Sequence, residues 1–170
     1  TPDTIPAFPH YLAAPKPSGA LTLPSHGRRR IGVVWAGSPD NRMDKERTIA
    51  AAMLAPLCDT ADADIVSLQI GAGAAEVKDL PAGKVVFACE GKVRDFADTA
   101  GVIDQLDLVI GVDTAVIHLA GALGKPVWLL LPFAPDYRWQ AAGTTTGWYP
   151  AMRLLDRKST RLNSSHTDIS

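Results

Sequence analysis

Two stretches of the sequence gather residue types able to hold an anion. The first runs from Asp113 through Thr114 and Ala115 to His118, directly after the apolar run Leu108–Val112. An aspartate in that position can cap the helix that begins there. Thr114 opens the helix, and His118, four residues on, shares its face. Free N–H groups at Thr114–Val116 and the helix dipole together make a natural anion site. The bland reading is an ordinary aspartate cap with a histidine turned into an interface, and the motif alone favours it. The second stretch is the loop Ala36–Arg47. Backbone N–H groups at Gly37 and Ser38 can approach a phosphate there, and Arg42, Lys45 and Arg47 can neutralise one. Its bland reading is a solvated charged loop.

Other motifs carry less. Gly71-Ala72-Gly73-Ala74-Ala75 resembles part of a dinucleotide fingerprint, but it follows the second strand and lacks the third glycine, which argues against NAD or FAD. Gly124-Lys125-Pro126 lacks the upstream glycine and the Ser/Thr of a P-loop and reads as a helix stop. His10, His26 and His166 lie in the tails with no ligand spacing, so no metal is expected. Cys58 and Cys89 form no CxxC pair and suit a reducing cytoplasm.

The elements that must position these residues follow from apolar periodicity. Ile31–Trp35, Asp64–Gln69, Lys84–Ala88, Leu108–Val112 and Val127–Leu131 read as strands. Between them, helix is predicted from about Ile49, with Pro56 ending or kinking it, and over Ala72–Leu80. Two more helices are predicted over Phe96–Leu106, with Phe96, Ala100, Ile103 and Leu106 on one face, and over Asp113–Leu123. Alternation of this kind, with near-continuous apolar strands, means an α/β fold with a parallel sheet covered on both faces. Right-handed crossovers then give a doubly wound, Rossmann-like sheet of about five strands in the order 3-2-1-4-5. Ligands bind at the carboxyl ends of such strands, at the switch point between strands 1 and 4, where both loops lie. After Leu131 the sequence turns aromatic and irregular (Phe133, Tyr137, Trp139, Trp148, Tyr149) and reads as a closing segment across the sheet edge.

The 170 residues carry a formal net charge of -1, which gives no reason to expect nucleic acid or an anionic membrane surface as partner. No apolar run reaches the roughly 20 residues of a membrane span. Residues 1–29, proline-rich at the start, read as a linker from a longer protein, and residues 30–155 as the domain. Asp156–His166 resembles a translated sequencing adapter, so 156–170 is expected to be a disordered tail outside the fold.

The segments WAGSPDNRMDKERTI, VSLQIG, DFADTAGVIDQLDLVIGVDTAVIHLAGALGKPVWLLLPFAPDYRW and WYPAMRLL together resemble one family. It is the C-terminal half of heptosyltransferase-like glycosyltransferases, in the branch attached to tetratricopeptide repeats in bacteria. The resemblance implies a GT-B fold, two Rossmann-like domains with the active site between them, this half holding a nucleoside diphosphate sugar. It implies donor contacts from Gly37 and Ser38, a phosphate-neutralising role for Arg42 or Arg47, and a place beside the nucleoside for Gln69. Asp113, Thr114, Ala115 and His118 would line the pyrophosphate and sugar, with Ala115 standing where the family usually has glycine. Neither cofactor nor metal is implied, since N–H groups and an arginine can stabilise the departing diphosphate. The general base would belong to the N-terminal domain, so no catalytic residue is assigned. The acceptor would be a glycan or a protein. The alternative is a degenerate Rossmann-like module serving as scaffold beside the repeats.

Overall fold

The computed structural model describes residues 8–40, 44–60, 62–139 and 143–156. Its sheet has six strands: β1 (Arg29–Val34), β2 (Ala63–Ser67), β3 (Val85–Ala88), β4 (Leu108–Val112), β5 (Val127–Leu131) and β6 (Met152–Asp156). They lie in the order β3-β2-β1-β4-β5-β6, and every neighbouring pair is parallel. The expected order is therefore present and extended by one edge strand. β6 falls where an irregular segment and then a tail were expected, and it pairs with β5 as far as Leu131↔Asp156. Its weak signal is a period of two, with Met152 and Leu154 buried and Arg153 and Leu155 exposed. Residues 157–170 lie outside the described residues.

Where β1 meets β4, Val34 stands opposite Gly111. A Cβ on Gly111 would lie 2.3 Å from the Val34 carbonyl oxygen, so the backbones approach as only glycine allows. One face of the sheet packs Val66, Leu68, Val109, Val127 and Leu129 under helices α3 (Phe96–Ile103) and α4 (Ala115–Ala122). The other packs Val33, Trp35, Ile65 and Val112 against the 3-10 turn Ala51–Leu54 and helix α2 (Ala55–Thr60). A one-turn helix, α1 (Asp44–Arg47), precedes these. Trp128 and Leu155, at the β5–β6 end, remain 37% and 39% exposed.

Several elements differ from expectation for local reasons. Pro56 does not end a helix but sits in the first turn of α2, where a missing N–H costs nothing. The stretch predicted as helix over 72–80 is a 3-10 turn, Ala74–Asp79, entered through Gly73 at φ +80°. α3 is capped by the Asp95 carboxylate, which accepts from Asp98 N–H at 2.8 Å. Phe96 is 61% exposed and contributes nothing to the predicted apolar face. α4 ends as read: Gly124 adopts φ +74°, and Lys125 N–H returns to the Ala120 carbonyl at 3.0 Å, a Schellman closure.

The segment ahead of β1 is built into the domain. Leu21 and Leu23 are buried in the α3/α4 core. The Gln105 amide accepts from Leu23 N–H and donates to the Leu21 carbonyl. Tyr11 and Leu12 N–H groups bond the Ala122 carbonyl at the end of α4.

Candidate functional site

The carboxyl ends of β1 and β4 open onto a cleft of about 350 Å³ lined by Gly37, Ser38, Arg47, Asp113, Thr114, Ala115, His118 and Arg138. Asp113, at its floor, is 3% exposed. Contrary to the capping expectation, its carboxylate takes side-chain partners and caps no backbone N–H of α4. Oδ2 accepts from Trp139 Nε1–H at 2.9 Å, and Oδ1 lies 3.2 Å from His118 Nε2. Arg47 Nη1 and Arg138 Nη2 approach Oδ2 at 3.7 and 4.0 Å. Burial alone would raise the Asp113 pKa. The hydrogen bonds from His118 and Trp139 and the neighbouring positive charge outweigh it, holding the carboxyl below its ordinary range. For Arg138, burial opposes the charge, but the Asp136 carboxylate at 2.9 Å and the Asp113 charge prevail and keep it cationic.

With Asp113 drawn away, Thr114 is the N-cap residue of α4, and its side chain makes no capping bond. The first helical bonds run from Ile117 and His118 N–H to the Thr114 carbonyl, which leaves the N–H groups of Ala115 and Val116 without helical acceptors at the cleft. Two side-chain atoms of cleft-lining residues, Thr114 Oγ1 and Arg47 Nε, are buried without a hydrogen-bond partner. Buried orphans of this kind are uncommon in folded proteins. Here both belong to residues lining one cleft, with a guanidinium, a hydroxyl and a helix N-terminus converging.

The structure thus brings Gly37, Ser38, Arg47, Asp113, Thr114, Ala115 and His118 to one place. Arg42 lies outside the described residues, and Arg47 lines the cleft together with Arg138. The Gly37 N–H makes a long bond to the Thr48 hydroxyl at 3.4 Å. Gln69 lies in an adjoining, mainly apolar cleft of about 310 Å³, with Val34, Leu68, Ile70 and Val116 also in its lining. Its amide is spent on the protein. Oε1 accepts from Trp35 and Ala36 N–H, and Nε2 donates to the Ala36, Ile70 and Ala72 carbonyls. Gln69 shapes this cleft by tying the loop after β1 to the loop after β2.

Three residues at the site were not singled out from sequence. Arg138 and Trp139, on the 3-10 turn Tyr137–Trp139, reach Asp113, and Tyr149 Oη lies 2.9 Å from His118 Nδ1. Trp139 also stacks on His118, ring centroids 5.2 Å apart. Their one sequence signal was the aromatic density after Leu131. Among the described residues no group of three His, Cys, Asp or Glu could hold a metal ion, and no helix is long and apolar enough to cross a membrane.

A parallel six-stranded α/β sheet in this order matches heptosyltransferase structures of the GT-B type. Residues 71–142 match the model of glycosyltransferase family 9 (heptosyltransferase). The fold is similar to the glycosyl transferase family 9 protein of Veillonella parvula DSM 2008, with TM-score 0.54 and 13% identity, covering 84% of this chain and 41% of that one. It is equally similar, at TM-score 0.54 and 20% identity, to the E. coli ADP-heptose lps heptosyltransferase II, covering 77% of this chain and 39% of that one. In sequence the chain is 29% identical over 133 residues to protein FlbA of Caulobacter vibrioides, covering 74% of this chain and 22% of FlbA. It thus spans about a fifth of FlbA and about two fifths of each solved chain.

Proposed function

We propose that this domain is the donor-binding half of a glycosyltransferase, holding a nucleoside diphosphate sugar whose sugar passes to a glycan or protein acceptor. The observation that carries the reading is the convergence of the unpartnered Arg47 Nε and Thr114 Oγ1 on the uncapped start of α4. A diphosphate satisfies all three at once: it accepts from the hydroxyl, the guanidinium and the N–H groups, and its charge suits the helix dipole. The family 9 match and the ADP-heptose named for the E. coli neighbour support the same donor class.

In this reading the diphosphate lies over Gly37, Ser38, Arg47, Thr114 and Ala115, and the nucleoside enters the apolar cleft beside Gln69. When the sugar leaves, negative charge grows on the bridging oxygen. The N–H groups at the start of α4 and the Arg47 guanidinium stabilise that charge without a metal. Arg138 adds a second guanidinium across the cleft. The general base lies on a second Rossmann-like domain supplied by the longer protein, which also carries tetratricopeptide repeats and works in the cytoplasm. The 170 residues alone therefore bind nucleotide weakly and transfer nothing.

Calorimetry with ADP, UDP and GDP tests this. Arg47→Ala removes charge-assisted bonds worth roughly 1.5–3 kcal/mol and should weaken binding about ten- to hundredfold. Absence of binding to all three nucleotides would favour a scaffold module instead. Sugar transfer by the 170-residue chain would refute the two-domain mechanism.

A further inference from the structure

Both ring nitrogens of His118 are engaged inside the protein. Nε2 faces Asp113 Oδ1 at 3.2 Å, and Nδ1 faces Tyr149 Oη at 2.9 Å. An ionised carboxylate can only accept, so Nε2 carries the hydrogen. In a neutral imidazole Nδ1 then keeps its lone pair, and the Tyr149 hydroxyl must donate to it. Tyr11 Oη in turn donates to Tyr149 Oη at 3.4 Å, so one chain of donors runs from Tyr11 through Tyr149 and His118 to Asp113. Burial pushes the Tyr149 pKa above its ordinary value, so the phenol keeps its proton.

A second observation points to the same residue. Gly121 lies three residues after His118 on α4, and a Cβ there would stand 2.6 Å from Tyr149 Cγ and 2.7 Å from Cδ1. The helix thus carries a slot for this ring and presents it edge-on to the imidazole, centroids 5.8 Å apart at 64°.

We infer that Tyr149 is a positioning residue: through His118 it keeps Asp113 turned toward Trp139, and so leaves the start of α4 clear of the carboxylate that would otherwise cap it. His118 gives its N–H to Asp113 in this arrangement, and the ligand is met by backbone, Thr114 and arginine. The inference rests on the donor-site reading only where nucleotide affinity is concerned.

The test is nitrogen NMR of the full chain labelled at histidine, with the His118 signals identified by their loss in His118→Gln. The wild type should show a single tautomer, Nε2 protonated and Nδ1 hydrogen-bonded. Tyr149→Phe keeps the ring and removes the hydroxyl. It should move the Nδ1 signal to that of an unbonded ring nitrogen and speed solvent exchange of the Nε2 proton at least tenfold. Gly121→Ala keeps the hydroxyl but displaces the ring, and should reproduce the change. Protonation at Nδ1 in the wild type overturns the inference whatever the stability of the variants, as would a folded Tyr149→Phe with both signals unmoved. Calorimetry of the same Phe variant with ADP should show severalfold weaker binding. A wild type that binds no nucleotide would refute the donor reading and leave the imidazole signals to decide this one.

Discussion

Trp139→Phe isolates one hydrogen bond to the buried Asp113. The indole is 1% exposed and donates Nε1–H to Oδ2 at 2.9 Å. Phenylalanine keeps most of the apolar body, so the loss has two parts. Removing a charge-assisted donor from a buried carboxylate costs about 1.5–3 kcal/mol. The space left by the smaller ring adds about 1 kcal/mol. A total near 2.5–4 kcal/mol corresponds to a fall in Tm of roughly 5–15 °C for a domain of this size. The pH dependence separates the parts. Because the folded-state pKa of Asp113 is depressed, its contribution is fully present above the unfolded carboxyl pKa and is lost as pH falls through the folded value. Urea unfolding of both proteins should show the full gap at pH 7, and the gap should narrow only as pH falls below the ordinary carboxyl pKa of about 4 toward the depressed folded value. The cavity part persists. A gap that stays constant from pH 7 downward would refute the account of Asp113 as an anion held by Trp139.

Gly111→Ala places a Cβ against the Val34 backbone, which cannot yield as a side chain does. Its cost should reach or exceed the usual overpacking range of about 1–3 kcal/mol, read from the urea midpoint, and wild-type stability would contradict the β1–β4 register. Gln69→Leu strands the Trp35 and Ala36 N–H groups, each worth about 1–3 kcal/mol when left unsatisfied, and a thermal melt should drop accordingly. Arg138→Ala and Arg47→Ala should both weaken ADP binding in calorimetry. The Arg138 effect should fade with added salt and the Arg47 effect persist, because their side chains are 39% and 14% exposed.

The sheet was legible because β1 to β5 are apolar runs bounded by charged loops, proline or glycine, and such runs fit only a covered parallel sheet. β6 was hidden because Met152–Leu155 alternates over too few residues to stand out from the aromatic stretch before it. Leu21 and Leu23 are hidden for a different reason: two leucines among prolines show no period, and only the α3/α4 core gives them somewhere to go. At the site, the position of Asp113 after β4 was readable, but its direction was not. A cap is the local solution for an aspartate there. The tertiary solution, with Trp139 and His118 as partners, depends on residues more than twenty positions away or pinned by them. Gln69 likewise sits at the cleft, yet its amide is consumed by backbone groups that sequence cannot reveal as unpaired.

The donor chain that ends on Asp113 begins at Tyr11 and passes through Tyr149, residues separated by 138 positions. Closing a loop of that length costs entropy that no local contact repays in advance. The donor chain therefore closes only when these two distant segments have met, although the residues lining the cleft all fall between Gly37 and Arg138. Removing the chain through Tyr11 would take away the partner of Tyr149, and clipping ahead of Tyr149 would remove β6 and leave His118 without its anchor. The orientation of His118 therefore records whether Tyr149 has docked, and Trp139, buried against the imidazole, is a fluorophore with which to watch it happen.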